Sequence, residues 1–302
     1  MTTPTEQLAL ARLSLEGLSV GDALGGFFEL SSSSQPSHFI TNRVPPSGEW
    51  RFTDDTNMAL SIYAVLRTHG YVDQDALADS FITHYNRSRG YGRGMRALVA
   101  RIQNGLHWRE ASRSFYGGQG SYGNGGAMRA SLIGAYFADD LSAVVSNAQA
   151  SAEVTHAHPE GINGAIAVAL AASIAYQTRN DPGIPPKQFI ERVIQHLPDG
   201  EVRQGCIDAA NLPDSTTISQ AAEHLGNGMD MSAQRTVPFA IWCATMYRHD
   251  FEEAIWQSVS AGGDTDTTCA IIGGIVSLVA GYDGIPQDWL DKREPLPSWP
   301  FS

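Results

Sequence analysis

The stretch GGDTDTTCAIIGGIVSLVA, residues 262–280, decides how this chain folds. From residue 269 onward it reads as an apolar helix, and two aspartates with neighbouring threonines, Asp264, Thr265, Asp266 and Thr267, stand directly in front of that helix. Gly262 and Gly263 let the backbone turn sharply there and approach a ligand closely. A helix start needs one capping side chain, so capping explains one of these aspartates and not both.

The same device occurs near the other end of the chain. Thr53-Asp54-Asp55-Thr56 precedes an amphipathic stretch over 57–66. A period near 3.6 also runs through 8–24, 56–67, 74–85, 127–137, 162–176, 238–247, 251–260 and 267–280, while segments alternating with period 2 are nearly absent. The predicted class is therefore all-α. Gly, Pro and polar punctuation at 31–36, 43–48, 115–126, 178–187 and 212–217 is too short for an interdomain linker, and no repeat of 20–50 residues appears. One domain over residues 1–302 is expected, with the serine run 31–34 read either as a loop beside a site or as ordinary solvated surface.

Composition narrows the function. With 32 acidic against 20 basic residues the net charge is -12, which disfavours a broad surface for duplex nucleic acid or anionic lipid and leaves only weak long-range attraction for any polyanion. The cysteines, Cys206, Cys243 and Cys269, lie far apart and read as reduced core residues rather than a disulfide or zinc framework. Arg12 and Glu16 interrupt the apolar residues of 8–20, which argues against a secretion signal, and the apolar run 269–281 is short of the ~20 residues a membrane crossing needs. No membrane association and a cytoplasmic location are the expectations.

Four carboxylates and several threonine oxygens at two helix starts are the donor set that hard cations such as Mg²⁺ or Mn²⁺ prefer. If the two starts converge, their mutual repulsion amounts to several kcal/mol and makes bound cations close to obligatory. Zinc fits less well, because neither segment supplies His and Cys ligands. A pair of such ions suits hydrolysis. Between these segments lies Gly117-Gly118-Gln119-Gly120-Ser121-Tyr122-Gly123-Asn124-Gly125-Gly126, which reads either as a plain surface loop or as an anion cradle leading into a helix near Ala127. Tyr116 and Tyr122 at this loop read from the sequence alone as packed aromatic anchors. His156, just ahead of a helix starting near Glu160, and His158 each read from the sequence alone as structural histidines.

Five segments in order resemble the ADP-ribosylglycohydrolases of the dinitrogenase-reductase-activating type, from about Leu13 to Trp289. They are Gly21-Asp22-Ala23-Leu24-Gly25 with Glu29, Phe52-Thr53-Asp54-Asp55-Thr56, Gly123-Asn124-Gly125-Gly126-Ala127-Met128-Arg129, Thr155-His156 with Asn163-Gly164-Ala165-Ile166, and Gly262-Gly263-Asp264-Thr265-Asp266-Thr267. Arg89-Gly90-Tyr91-Gly92, Gly120-Ser121-Tyr122 and Leu225-Gly226-Asn227-Gly228 make it most similar to the branch that cleaves ADP-ribosylserine and poly(ADP-ribose). The resemblance implies an orthogonal all-α fold with two Mg²⁺ or Mn²⁺ ions held by Thr53, Asp54, Asp55, Asp264, Asp266 and Thr267. It implies catalytic roles for Glu29, Asp54, Asp55 and Asp264, with Glu29 positioning the scissile ribose and serving acid–base chemistry. Substrate contacts are implied for Tyr91, Gly92, Tyr116, Gly120, Ser121, Tyr122, Gly123, Asn124 and His156. The substrate would be an ADP-ribosylated protein, poly(ADP-ribose) or O-acetyl-ADP-ribose. ADP-ribosylarginine, a two-metal phosphoesterase reaction and a non-catalytic ADP-ribose-binding relative stand as alternatives.

Overall fold

The computed structural model describes residues 2–30 and 36–302. The expected serine loop at 31–34 lies outside the described residues. In chain order the α-helices are α1 (Pro4–Leu30), α2 (Pro36–Asn42), α3 (Asp54–His69), α4 (Gln74–Thr83), α5 (Arg93–Gln103), α6 (Trp108–Arg113), α7 (Ser131–Tyr136) and α8 (Leu141–Glu153). They continue with α9 (Pro159–Thr178), α10 (Pro186–Ile194), α11 (Glu201–Ala210), α12 (Ile218–Leu225), α13 (Ala233–Met246), α14 (Phe251–Ala261), α15 (Thr265–Ala280) and α16 (Gln287–Lys292). Among the described residues there is no strand, only isolated bridges such as Trp50 with Arg293 and Gly123 with Ser232.

The centre of the molecule is the antiparallel pair α1 and α15. Gly17, Gly21 and Gly25 recur every four residues and so share one face of α1. A Cβ at each would strike the backbone of Gly273, Cys269 and Thr265 respectively, so the missing side chains are what let the two helices approach this closely. Thr265 Oγ1 donates to the Gly25 carbonyl at 2.9 Å, and Ser14 Oγ to that of Gly274 at 2.8 Å, which fixes the register. This register sets Asp22 and Glu29, near the C-terminal end of α1, beside the acidic start of α15.

α9 is apolar on every side and buried in the core against α7, α8, α13 and α15. It is the one described helix long and apolar enough to cross a membrane by composition, and it is mostly buried inside the fold. Cys206, Cys243 and Cys269 are buried and unpaired, and burial pushes the Cys206 and Cys269 thiols up to about 12, which suits inert packing residues.

Candidate active site

The two acidic helix starts meet. Thr53 caps α3, and Asp54 and Asp55 occupy its first turn. Asp264 and Asp266 stand at the start of α15. Carboxylate oxygens of Asp22, Asp55 and Asp266 lie within 4.8 Å of one another, and so do those of Glu29, Asp264 and Asp266. Asp266 belongs to both sets and joins them into one cluster.

Asp22 was not singled out from the sequence, and its role is specific. Fully buried, it accepts from Thr53 N (3.0 Å), Thr53 Oγ1 (2.7 Å), Thr56 N (3.0 Å) and Thr56 Oγ1 (2.5 Å). It thus ties the middle of α1 to the start of α3. From behind, Glu294 accepts from Phe52 N at 2.9 Å and pairs with Arg89, whose guanidinium lies over the Phe52 ring and donates to the Phe52 carbonyl at 2.8 Å. On the other side Asp264 N donates to the Asn227 carbonyl (3.1 Å), and Asn124 Nδ2 donates to Asp264 Oδ2 (2.6 Å) and Thr236 Oγ1 (3.1 Å).

No cationic side chain forms an ion pair with these carboxylates among the described residues, and Asp55 Oδ1 is buried without a hydrogen-bond partner. Burial first, and Asp266 second, push Asp22 up to about 7, Glu29 to about 8 and Asp264 to about 9. The same causes hold Asp54 and Asp55 well above the carboxylate range. Buried carboxylates with an orphaned oxygen and no ion-paired cation, the buried Arg129 acting on Asp54 only from a distance, fit a divalent cation, which would replace the protons.

A cleft of about 660 Å³ opens over the cluster, a size suited to a small-molecule ligand. Glu29, Thr53, Asp54, Asp55, Asp264, Asp266 and Thr267 line its floor. Gly92, Tyr116, Ser121, Tyr122, Gly123, Asn124 and His156 line its walls. Tyr116 and Tyr122 are exposed and stacked, with ring centroids 5.7 Å apart. Thr53 Oγ1 sits between Asp22 Oδ1 and Asp55 Oδ2, at 2.7 and 3.0 Å, and accepts from Asp55 N at 3.4 Å.

Two expected contacts fall outside the lining. Tyr91 is buried beneath the wall, its hydroxyl taken by Asn57 Nδ2 at 2.6 Å and its ring against Tyr85. Gly120 is buried with φ +80 against the Ala157–His158 backbone, where no side chain fits. The expected helix start at Ala127 is also absent. Residues Asn124–Gly126 form a 3₁₀ turn and α7 begins only at Ser131, so no helix N-terminus points out of the glycine loop. The loop is instead held by Asn124 N donating to the Met231 carbonyl and Ala233 N to that of Tyr122, both at 2.9 Å. Asp230 and Met231 join the lining through this pairing, and no sequence signal marked them.

His156 is held from behind. Arg129 is fully buried and donates to the carbonyls of Gly125 (2.9 Å) and Ser151 (3.2 Å) and to Thr155 Oγ1 (2.7 Å). The same Thr155 hydroxyl shares a hydrogen bond of 2.7 Å with His156 Nδ1. Burial and the nearby Arg129 hold the imidazole down to about 3, hence neutral. Its Nε2 lies beside Gly123 and Gly125. His158 caps α9, accepting from Glu160 N at 3.1 Å, and meets Tyr122 edge-on.

A family model described as ADP-ribosylglycohydrolase matches residues 3–299. The protein named ADP-ribosylhydrolase ARH3 from Homo sapiens is 29% identical over 93% of this chain and 88% of its own length. That of Mus musculus is 30% identical over 93% and 86%. A solved structure titled ADP-ribosylglycohydrolase-related protein complex superposes with a TM-score of 0.68 at 25% identity, covering 96% of this chain and 93% of the other.

Proposed function

The chain belongs to the ADP-ribosylglycohydrolase family, hydrolases of ADP-ribose glycosidic bonds, and from that premise we propose that it releases ADP-ribose from ADP-ribosylserine or poly(ADP-ribose) with two Mg²⁺ or Mn²⁺ ions. The observation that carries this reading is the convergence of Asp22, Glu29, Asp55, Asp264 and Asp266 from three chain segments, with Asp54 on the same cleft floor and Asp55 Oδ1 left orphaned. Asp54, Asp55, Asp264, Asp266 and the oxygens of Thr53 and Thr267 would hold the ions, with the whole chain serving as one domain around them. Bound there, divalent ions supply charge stabilisation and water activation.

The remaining work falls to the chain's own groups. The stacked Tyr116 and Tyr122 receive the adenosine end of the substrate. The Gly125 N–H and the His156 ring donate to the diphosphate, which brings the distal ribose over the carboxylate floor. Glu29, at the last turn of α1 beside Asp264 and Asp266, orients that ribose and moves a proton between the attacking water and the leaving oxygen. An ADP-ribosylserine peptide incubated with Mg²⁺ should yield free ADP-ribose with its diphosphate intact. Release of AMP would instead make the protein a phosphoesterase, and binding without turnover would make it a non-catalytic relative.

Two further results are expected. Thr155→Val removes the hydroxyl that is hydrogen-bonded to His156 Nδ1, and the loss of one oriented hydrogen bond should weaken ADP-ribose binding by about fivefold in calorimetry. Thr155→Ser should restore it, and equal affinity in Thr155→Val and wild type would count against this role of Thr155.

The second concerns pH. With Asp22, Glu29 and Asp264 raised to about 7, 8 and 9, the folded metal-free protein holds protons that the unfolded chain has already lost. Their stabilising contribution is present at low pH and is lost as pH rises through that range. Cations displace those protons, so the rise in Tm on adding Mg²⁺ to chelator-stripped protein should be larger at about pH 8.5 than at about pH 6. A gain that is flat with pH would contradict the proton–metal exchange.

A further inference from the structure

Between Asp79 and Asp139 the chain carries eight arginines and one acid, Glu110, while the rest of it holds 12 basic and 31 acidic residues. The net charge therefore hides a basic region, and that region borders the cleft. Arg129 is buried beneath it. Arg89 is engaged with Glu294, Arg101 lies over Phe115, and Arg109 lies over Trp108. Arg87, Arg93 and Arg96 are exposed and have neither a carboxylate nor a hydrogen-bond partner among the described residues, and the same holds for Arg51. Arg51 and Arg93 stand on the cleft wall with Ser88, Gly90 and Gly94. Gly90 faces the Asp54 carboxylate, so this is the wall at the acidic end of the cleft. The first turn of α5 holds Arg93 and Arg96 and no acid, the reverse of what the helix dipole favours, so helix stability does not account for them.

We propose that Arg51, Arg87, Arg93 and Arg96 form a docking rim for the leaving side of the substrate, and that its occupant is the phosphate-bearing neighbouring unit of oligo(ADP-ribose). The proposal rests on the reading of the cleft given above. With the terminal unit's distal ribose at the carboxylate floor, the bond to be cut joins it to the next unit, whose diphosphate emerges at this wall. Unpaired guanidinium forks suit phosphate oxygens, and their attraction is purely local because the molecule as a whole repels a polyanion. A mono-ADP-ribosylated peptide without acidic residues offers the rim nothing.

The test compares wild type with the double variant Arg87→Glu/Arg96→Glu, both sites lying outside the cleft lining, after equal Tm values have established that both fold. Substrates are oligo(ADP-ribose) and an ADP-ribosylserine peptide free of acidic residues, at low and moderate salt. The kcat/KM for the oligomer should fall by about tenfold or more and lose part of its salt dependence, while the peptide is cleaved as before. An equal loss on both substrates, or none on the oligomer, overturns the rim. A larger loss on a peptide with acidic flanks than on the oligomer also overturns it, assigning the arginines to the protein target. If wild type cleaves neither substrate, the reading of the cleft fails. The rim is then judged by the binding of fluorescent oligo(ADP-ribose) in chelator: weaker binding by the double variant supports it and equal binding overturns it.

Discussion

Asp266→Asn should lower the turnover of ADP-ribosylated substrate at saturating Mg²⁺ by about a thousandfold or more, because Asp266 would help to hold the divalent ions whose charge stabilisation the proposed hydrolysis needs. Asp266 is the residue on which the two carboxylate sets overlap, so its substitution weakens both at once. The fold should survive the change. Asn keeps an acceptor for Thr267 N, now at 2.7 Å from Asp266 Oδ1, and it removes one charge from a buried group of like charges. Chelator-stripped Asp266→Asn protein is therefore expected to melt no lower than stripped wild type. Loss of activity accompanied by unfolding would mean that Asp266 is a structural residue.

Asp22→Ala should behave in the opposite way. Its carboxylate accepts from two backbone N–H groups and two hydroxyls at the start of α3, and an alanine leaves three of them without an acceptor, Thr53 Oγ1 keeping Asp55 Oδ2 at 3.0 Å. Each buried unpaired group costs ~1–3 kcal/mol, part of which is offset by the relief of repulsion, so a net loss of about 3 kcal/mol is expected in urea titrations with Mg²⁺ present. Turnover should fall with it, because α3 would no longer hold Asp54 and Asp55 against α15. Wild-type stability in Asp22→Ala would show that the clamp contributes nothing. Two carboxylates within one cluster thus have separable tasks: Asp22 holds backbone, and Asp266 faces the space between the ligand sets.

The contrast also explains what could be read without coordinates. Asp54, Asp55, Asp264 and Asp266 were legible because consecutive acids at a helix start exceed what capping requires. Asp22 was not, since a single aspartate inside an apolar helix looks like any polar residue at an exposed position until the helix is known to be buried on that side. The glycines at 17, 21 and 25 are visible as a seam of small residues, yet spacing alone does not name the partner helix. That partner, α15, is what brings the acids together.

Other gaps have equally local reasons. The helix expected at Ala127 gives way to a 3₁₀ turn because the Asn124 amide is drawn to Asp264 and its backbone to Met231, tertiary bonds that no pattern in 117–130 encodes. The resemblance implies a substrate contact for Tyr91, but its side chain is buried and its hydroxyl accepts from Asn57 Nδ2. α5 went unread because it begins with Gly92 and arginines, without the cap or first-turn acid that marks a helix start. The all-α class itself follows from the 3.6-residue period repeated through the chain.

Crystals soaked in Mn²⁺ and measured at its absorption edge test the central claim most directly. The account predicts anomalous density in the space shared by Asp54 and Asp55 from α3 and by Asp264 and Asp266 from α15, with ligands from both helix starts. Full occupancy by Mn²⁺ elsewhere, or an ion bound to one helix start while the carboxylates of the other remain protonated and uninvolved, would contradict it.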